Sequence, residues 1–266
     1  MIDKMRSRIA AYSAALVLVF CLSSCNSEGF FEGFFTEKEP RLVLFVGVDI
    51  SGSFLRGKYF DDSLHFLAHY LYAHLQGVGG MEQPKELFVG SIGGSNIGEA
   101  KTLFPIQTFE YLTIPEIHSK LKEIFPKNKV NEFTDFNAFF HHISETVTNR
   151  KLILRPLAIV LISDGIPDVP EADRDQAFKT IILKPLENLS RNIVIRLLYT
   201  DAQTGDQWTS WVPRRRVKIL TQDAVVMKEW RDPSIMIPGK DFEDQDRFFD
   251  WVKNQVDFPV RLRRVD

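Results

Sequence analysis

The chain has 266 residues, with 33 Lys and Arg against 35 Asp and Glu for a net charge of −2, and 44% hydrophobic residues. This is enough apolar material for one large domain or two small ones, and the near balance of charge excludes a globally basic, polyanion-binding protein, so no nucleic-acid partner is expected. The two cysteines, Cys21 and Cys25, lie close together near the N-terminus, which leaves the rest of the chain with neither a disulfide framework nor a cysteine metal site.

In chain order, Lys4, Arg6 and Arg8 precede an apolar stretch over residues 9–22. It is too short to span a bilayer and suits the h-region of a signal peptide. The sequence Leu22-Ser23-Ser24-Cys25 that follows resembles a bacterial lipobox. That resemblance implies a signal peptide over residues 1–24 and a lipid on Cys25, which would become the mature N-terminus. It also implies a lipid-anchored protein of the bacterial cell envelope, with the outer membrane or periplasmic face favoured because Asn26, not Asp, follows the cysteine. Residues 25–40 read as a lipidated tether carrying the repeat Gly29-Phe30-Phe31-Glu32-Gly33-Phe34-Phe35. Its reach is at most roughly 50 Å, and its phenylalanines are expected to pack onto the domain.

Residues 42–48 form an apolar run that reads as a strand buried on both faces, and it ends in Asp49-Ile50-Ser51-Gly52-Ser53. Residues 59–76 read as a helix, with Phe60, Leu64, Leu67, Leu71 and Leu75 on one stripe and Gly77, Gly79 and Gly80 ending it. Residues 86–92 predict a second strand, followed by the loop Gly90-Ser91-Ile92-Gly93-Gly94-Ser95, and 103–109 an edge strand. Ile114, Ile117, Leu121 and Ile124 mark one helix; Phe136, Phe139, Phe140, Ile143 and Val147 mark the next, with Thr134 and Asp135 just ahead of it. Residues 157–162 predict a strand ending in Ser163-Asp164-Gly165, 172–189 a helix, and 192–199 and 217–227 strands. A late amphipathic helix is expected over 242–254 and a short last strand over 258–264.

Strands alternating with helices over residues 41–266 predict an α/β fold, a three-layer α/β/α sandwich on a mainly parallel central sheet. In such sheets ligands sit beyond the carboxyl ends of the strands. Asp49, Ser51, Ser53, Thr134 and Asp164 would then share one edge. They offer two carboxylates and three hydroxyls, with no imidazole and no thiol. Hard oxygen donors of modest negative charge suit Mg²⁺ (or Mn²⁺).

Asp49-x-Ser51-x-Ser53, followed in order by Thr134 and by Asp164 in a Ser-Asp-Gly turn, resembles the metal-ion-dependent adhesion site of von Willebrand factor type A domains, and the similarity extends over roughly residues 41–254. The resemblance implies that family's Rossmann-like fold. It implies hydroxyl ligands from Ser51, Ser53 and Thr134, with Asp49 and Asp164 acting directly or through waters. It also implies a protein partner that presents Asp or Glu to the metal. Phe133 stands where such domains often have glycine, a departure that bears on the threonine loop.

Other readings are weaker. A phosphotransferase would need a second carboxylate two residues after Asp49, where Ser51 stands; there is no G-x-S-x-G elbow, and the loop at residues 90–95 does not match G-x-G-x-x-G. The expectation is therefore a binding module and not an enzyme, with a structural lipoprotein whose domain does not use the metal as the alternative. His65 and His69, four apart on the first helix, and the pair His141-His142 read as solvated. Trp208 and Trp211 followed by Arg214, Arg215 and Arg216 make a candidate second binding surface, and Asp135 and Asp168 read as rim charges.

Overall fold

The computed structural model describes residues 39–93, 102–128, 134–167 and 174–258. The expected signal peptide, Cys25 and the phenylalanines of the expected tether lie outside the described residues, as do Phe133, Asp168, Gly94, Ser95 and all of the expected last strand beyond Phe258.

Among the described residues six strands form one sheet in the order β3-β2-β1-β4-β5-β6: β1 (Val43–Asp49), β2 (Glu86–Ile92), β3 (Phe104–Pro105), β4 (Leu157–Ile162), β5 (Ile193–Thr200) and β6 (Val217–Asp223). All neighbouring pairs are parallel except β2–β3. The expected three-layer sandwich follows. Alternate residues of β1 enter different cores: Leu44, Val46 and Val48 pack with α1 (Phe60–Gln76), α2 (Ile114–Ile124) and α5 (Asp246–Val252), whereas Val43 and Phe45 pack with α3 (Phe136–Asn149) and α4 (Ala202–Trp211). This is the period-two pleat of a strand buried on both faces.

The helices begin where side chains take up free backbone donors. Thr113 and Glu116 form a capping box on α2, Asp135 accepts from the Ala138 N–H at α3, and Asp201 accepts from the Thr204 N–H at α4. α3 lies close on the sheet at Gly47, where a Cβ would meet the Phe139 ring at 2.7 Å. That contact brings the start of α3, with Thr134, toward the end of β1.

Several expectations fail for local reasons. The helix expected over 172–189 is broken into Arg174–Ala177, continued by a 3₁₀ turn at Phe178–Thr180, and a separate turn at Lys184–Glu187. Pro185 can begin a helix and cannot sit inside one, and between the turns Asn137 of α3 bridges the chain, donating to the Thr180 carbonyl and accepting from the Ile182 N–H. The edge strand shrinks to Phe104–Pro105 because Pro105 has no N–H to continue the ladder. β6 stops at Asp223, whose carboxylate accepts from the Val225 N–H and starts a turn, Ala224–Met227. The late helix is divided: buried Gln245 pairs through its amide with the N–H and C=O of Ile237, separating a 3₁₀ turn at Phe242–Asp244 from α5. Phe258 is left-handed and outside any strand.

His65 and His69 are not on an open face. Both are half-buried, with Trp230 against both rings and with Phe242 and Phe248 against His69. Among the described residues no helix is long and apolar enough to cross a membrane.

Candidate metal centre

Parallel pairing of β1 with β4 sets Val48 beside Ile162, so the next residues, Asp49 and Ser163, leave the sheet side by side. Their contact follows: the Ser163 hydroxyl donates to Asp49 Oδ2 at 2.6 Å, and the Ser51 N–H donates to Asp49 Oδ1 at 2.8 Å. Asp49 is fully buried. Burial pushes its carboxyl up to about 6; the two hydroxyl and amide donors hold it down in part, while the neighbouring charge of Asp164 raises it further. A buried carboxylate beside a second one, at the carboxyl edge of a parallel sheet, is a place where a cation would relieve both desolvation and repulsion.

Two neutral donors stand beside it. The hydroxyls of Ser51 and Ser53 lie 3.2 Å apart, Ser51 buried and Ser53 exposed. Thr134 is buried just before α3. Asp164 is half-exposed, and its Oδ1 accepts from the Ile166 N–H at 3.1 Å, which folds the loop after β4 back on itself. Among the described residues no group of three or more His, Cys, Asp or Glu is placed to hold a metal; a cation here would depend on hydroxyls and water beside two carboxylates, a donor set that fits Mg²⁺ or Mn²⁺ and not a thiol- or imidazole-seeking ion.

Two residues outside the expected set hold it together. Ser163 donates to Asp49 and accepts from the Gly165 N–H at 2.9 Å. Trp208 of α4 donates from Nε1 to the Gly165 carbonyl at 2.7 Å and meets the Phe136 ring edge-on at 4.9 Å. One indole thus touches both the aspartate loop and the start of the threonine-bearing helix. Gly165 has φ 79°, and a Cβ there would come within 2.8 Å of Leu197, so the turn needs glycine. Ser163 could have been found from the strand register; nothing local in the sequence marks Trp208.

That burial takes Trp208 out of the expected second surface. Trp208 has no exposure and belongs to the core. Trp211 packs its ring against Phe178, and the Arg214 guanidinium donates to the carbonyls of Thr209 and Val212, closing the end of α4. Arg215 and Arg216 are exposed but share no face with Trp208. Asp135 serves as the N-cap of α3.

No family model matches the sequence, and no curated protein is similar to it. Among solved structures, the chain is similar to manganese-loaded TRAP protein of Plasmodium vivax (13% identity over 70% of each chain, TM-score 0.43). It is also similar to the pilus adhesin SpaC of Lactobacillus rhamnosus GG in its open conformation (10% identity, 83% of this chain and 31% of that one, TM-score 0.46). A third is the mussel byssus proximal thread matrix protein 1 with a zinc-occupied MIDAS motif (14% identity, 74% of this chain and 47% of that one, TM-score 0.40). The chain thus spans about half the length of the mussel protein and about a third of the adhesin. The donor set at the edge of β1, and not these likenesses, is what points to a cation.

Proposed function

We propose that this chain is a binding module of the cell envelope that holds a divalent cation at the carboxyl edge of its sheet and uses it to capture an acidic side chain of a protein partner. The observation that carries the reading is the wholly buried Asp49 carboxylate, repelled by Asp164 and surrounded by hydroxyls. Ser51, Ser53 and Thr134 would supply neutral oxygens, and Asp49 and Asp164 the negative charge, directly or through waters. A cation so held keeps enough positive character to attract a carboxylate from outside. The strand order and the Asp-x-Ser-x-Ser, Thr and Asp series are what a von Willebrand factor A resemblance implies. Two residues after Asp49, where a phosphotransferase would carry its acid/base carboxylate, stands Ser51, which cannot serve in that role, so binding is favoured over catalysis.

Isothermal titration of the purified chain with Mg²⁺ and Mn²⁺ tests the metal, with Asp49→Ala as the control. Heat from the wild type and none from the variant supports the site; equal heats sink it and favour the structural alternative, a domain that assembles without metal. Anchoring through Cys25 has its own test, radiolabelled palmitate in the expressing bacterium. Label should enter the wild type and be absent from Cys25→Ala; label in both would sink the lipoprotein reading.

A further inference from the structure

The molecule carries an unneutralised basic cluster on the same edge as the metal centre. Lys58 follows β1 and Lys228 follows β6, so both lie beyond the carboxyl ends of parallel strands. Both reach the same ring: the Nζ of Lys58 is 4.9 Å and that of Lys228 5.1 Å from the centroid of Tyr59. Both lysines are exposed, as is Arg56 two residues earlier. Among the described residues none of the three forms an ion pair. Of the nearby carboxylates, Asp61 pairs with Lys127, and Asp62 with Arg231, Tyr199 and Trp230, while Glu229, next to Lys228, is exposed and makes no ion pair among the described residues. Two cations drawn to one ring with no anion between them repel each other, in a chain whose net charge is −2.

The ring beneath them is fixed. The register between β5 and β6 slips between Leu198 and Thr200, and Tyr199 takes φ 74° there. As a result Leu198 and Tyr199, consecutive in the chain, enter the same core. Tyr199 is pinned by its hydroxyl to Asp62 at 2.9 Å and lies 6.3 Å from the Tyr59 ring and 6.4 Å from that of Phe54. Phe54 directly follows Ser53. A run of three aromatic rings therefore joins the lysine pair to the serine loop and holds their spacing.

We propose that Lys58, Tyr59 and Lys228 form a second, metal-independent anion contact, which takes a further acidic residue of the partner beside the one captured at the metal centre. The partner segment is then a short acidic cluster and not a lone carboxylate. The proposal rests on the metal-capture reading for the first contact, and its test separates the two.

The full chain in detergent is titrated with two labelled peptides of equal length, one with a single Glu in a Gly/Ser background and one with four consecutive Glu, in Mg²⁺ or in EDTA. The wild type should bind the four-Glu peptide roughly tenfold tighter than the single-Glu peptide at about 50 mM salt, a preference that fades as salt rises past ~0.3 M. Lys58→Gln with Lys228→Gln should erase that preference and leave single-Glu and Mg²⁺ binding unchanged, while Lys58→Arg with Lys228→Arg should restore it. In EDTA the wild type should keep weak, salt-sensitive binding to the four-Glu peptide that the Gln pair lacks. If the Gln pair binds the four-Glu peptide as the wild type does, in Mg²⁺ and in EDTA, the proposal is overturned. If EDTA changes nothing but the lysine dependence persists, the capture reading falls and the lysine contact stands.

Discussion

Trp208 and Gly165, 43 residues apart, are joined by one hydrogen bond of 2.7 Å from the indole Nε1 to the glycine carbonyl. No solvent reaches the indole, so the bond fixes the Asp164 loop to α4 in a setting where an unpaired carbonyl is costly. The same ring abuts Phe136. One residue thus joins the loop that carries Asp164 to the helix that follows Thr134.

Trp208→Phe is expected to keep most of the packing and lose the donor. An orphaned buried carbonyl should cost about 2 kcal/mol of stability. Affinity for Mg²⁺ should fall as well, though no ligand has changed. Denaturant unfolding in EDTA and Mg²⁺ titration of the same preparation measure the two effects. A stability loss with unchanged Mg²⁺ affinity would show that the indole supports the fold but not the spacing of the site.

Asp49→Asn should separate stability from function. Because the folded-state carboxyl is raised from 3.8 to about 6, ionised Asp49 opposes folding: the penalty is absent below the unfolded value and complete above the folded one. At pH 7 and without metal, Asn should therefore stabilise the chain by an amount on the order of 2 kcal/mol, since the amide oxygen can still accept from the Ser51 N–H. The same variant should gain nothing from Mg²⁺. Melting in EDTA and in Mg²⁺ checks both halves, and a variant less stable than wild type in EDTA would contradict the argument.

The strands were legible from sequence to within a residue at most boundaries, because burial on both faces leaves uninterrupted apolar runs with turn residues after them. The shared edge of Asp49 and Asp164 was legible for a related reason: each ends such a run, and parallel strands bring run ends together. What stayed hidden depends on partners far along the chain. Trp208, read beside three arginines, looks like a surface residue; its burial is decided by Gly165 and Phe136. His65 and His69 lie off the leucine stripe of α1, yet Trp230, Phe242 and Phe248 arrive from more than 150 residues away to cover them. The broken helix around Pro185 was readable locally, since a proline inside an apolar helical pattern signals a fresh start.

The covered histidines predict acid sensitivity. His65, His69 and His118 lie together, with the His65 ring 4.7 Å from that of His118 and 5.1 Å from that of His69. Burial holds all three below the usual imidazole value, and the mutual repulsion of the rings and the charges of Arg231 and Lys122 add to it, against Asp61 and Asp62. For a folded value below the unfolded one, stability is complete above about 6.5 and is lost as pH falls through the folded value. Melting temperature should thus drop on acidification from pH 7.5 to 5, most clearly in the Asp49→Asn background, where the opposite contribution of Asp49 is gone. His69→Phe, which suits the ring of Trp230, Phe242 and Phe248, should flatten that profile. An unchanged slope would remove the cluster as its cause.

The final prediction concerns how unequal the site's donors are. Of the candidate donors, Asp49 and Asp164 carry the formal negative charge, whereas Ser53 offers a neutral hydroxyl that is exposed and already in contact with Ser51. Water can replace a lost hydroxyl at an exposed position but cannot replace a lost charge. Asp164→Asn should therefore abolish Mg²⁺ binding, and Ser53→Ala should weaken it by roughly tenfold, about 1.4 kcal/mol. The two cores are built from apolar residues of the sheet and helices and not from the candidate donors, so both variants are expected to stay folded in EDTA. Wild type at a hundredfold excess of Mg²⁺ over its Kd should gain about 2.7 kcal/mol by mass action. Ser53→Ala should gain the same at a tenfold higher concentration, and Asp164→Asn should gain nothing at either. Melting curves against Mg²⁺ concentration distinguish these outcomes, and equal losses in the two variants would mean that charge does not govern the site.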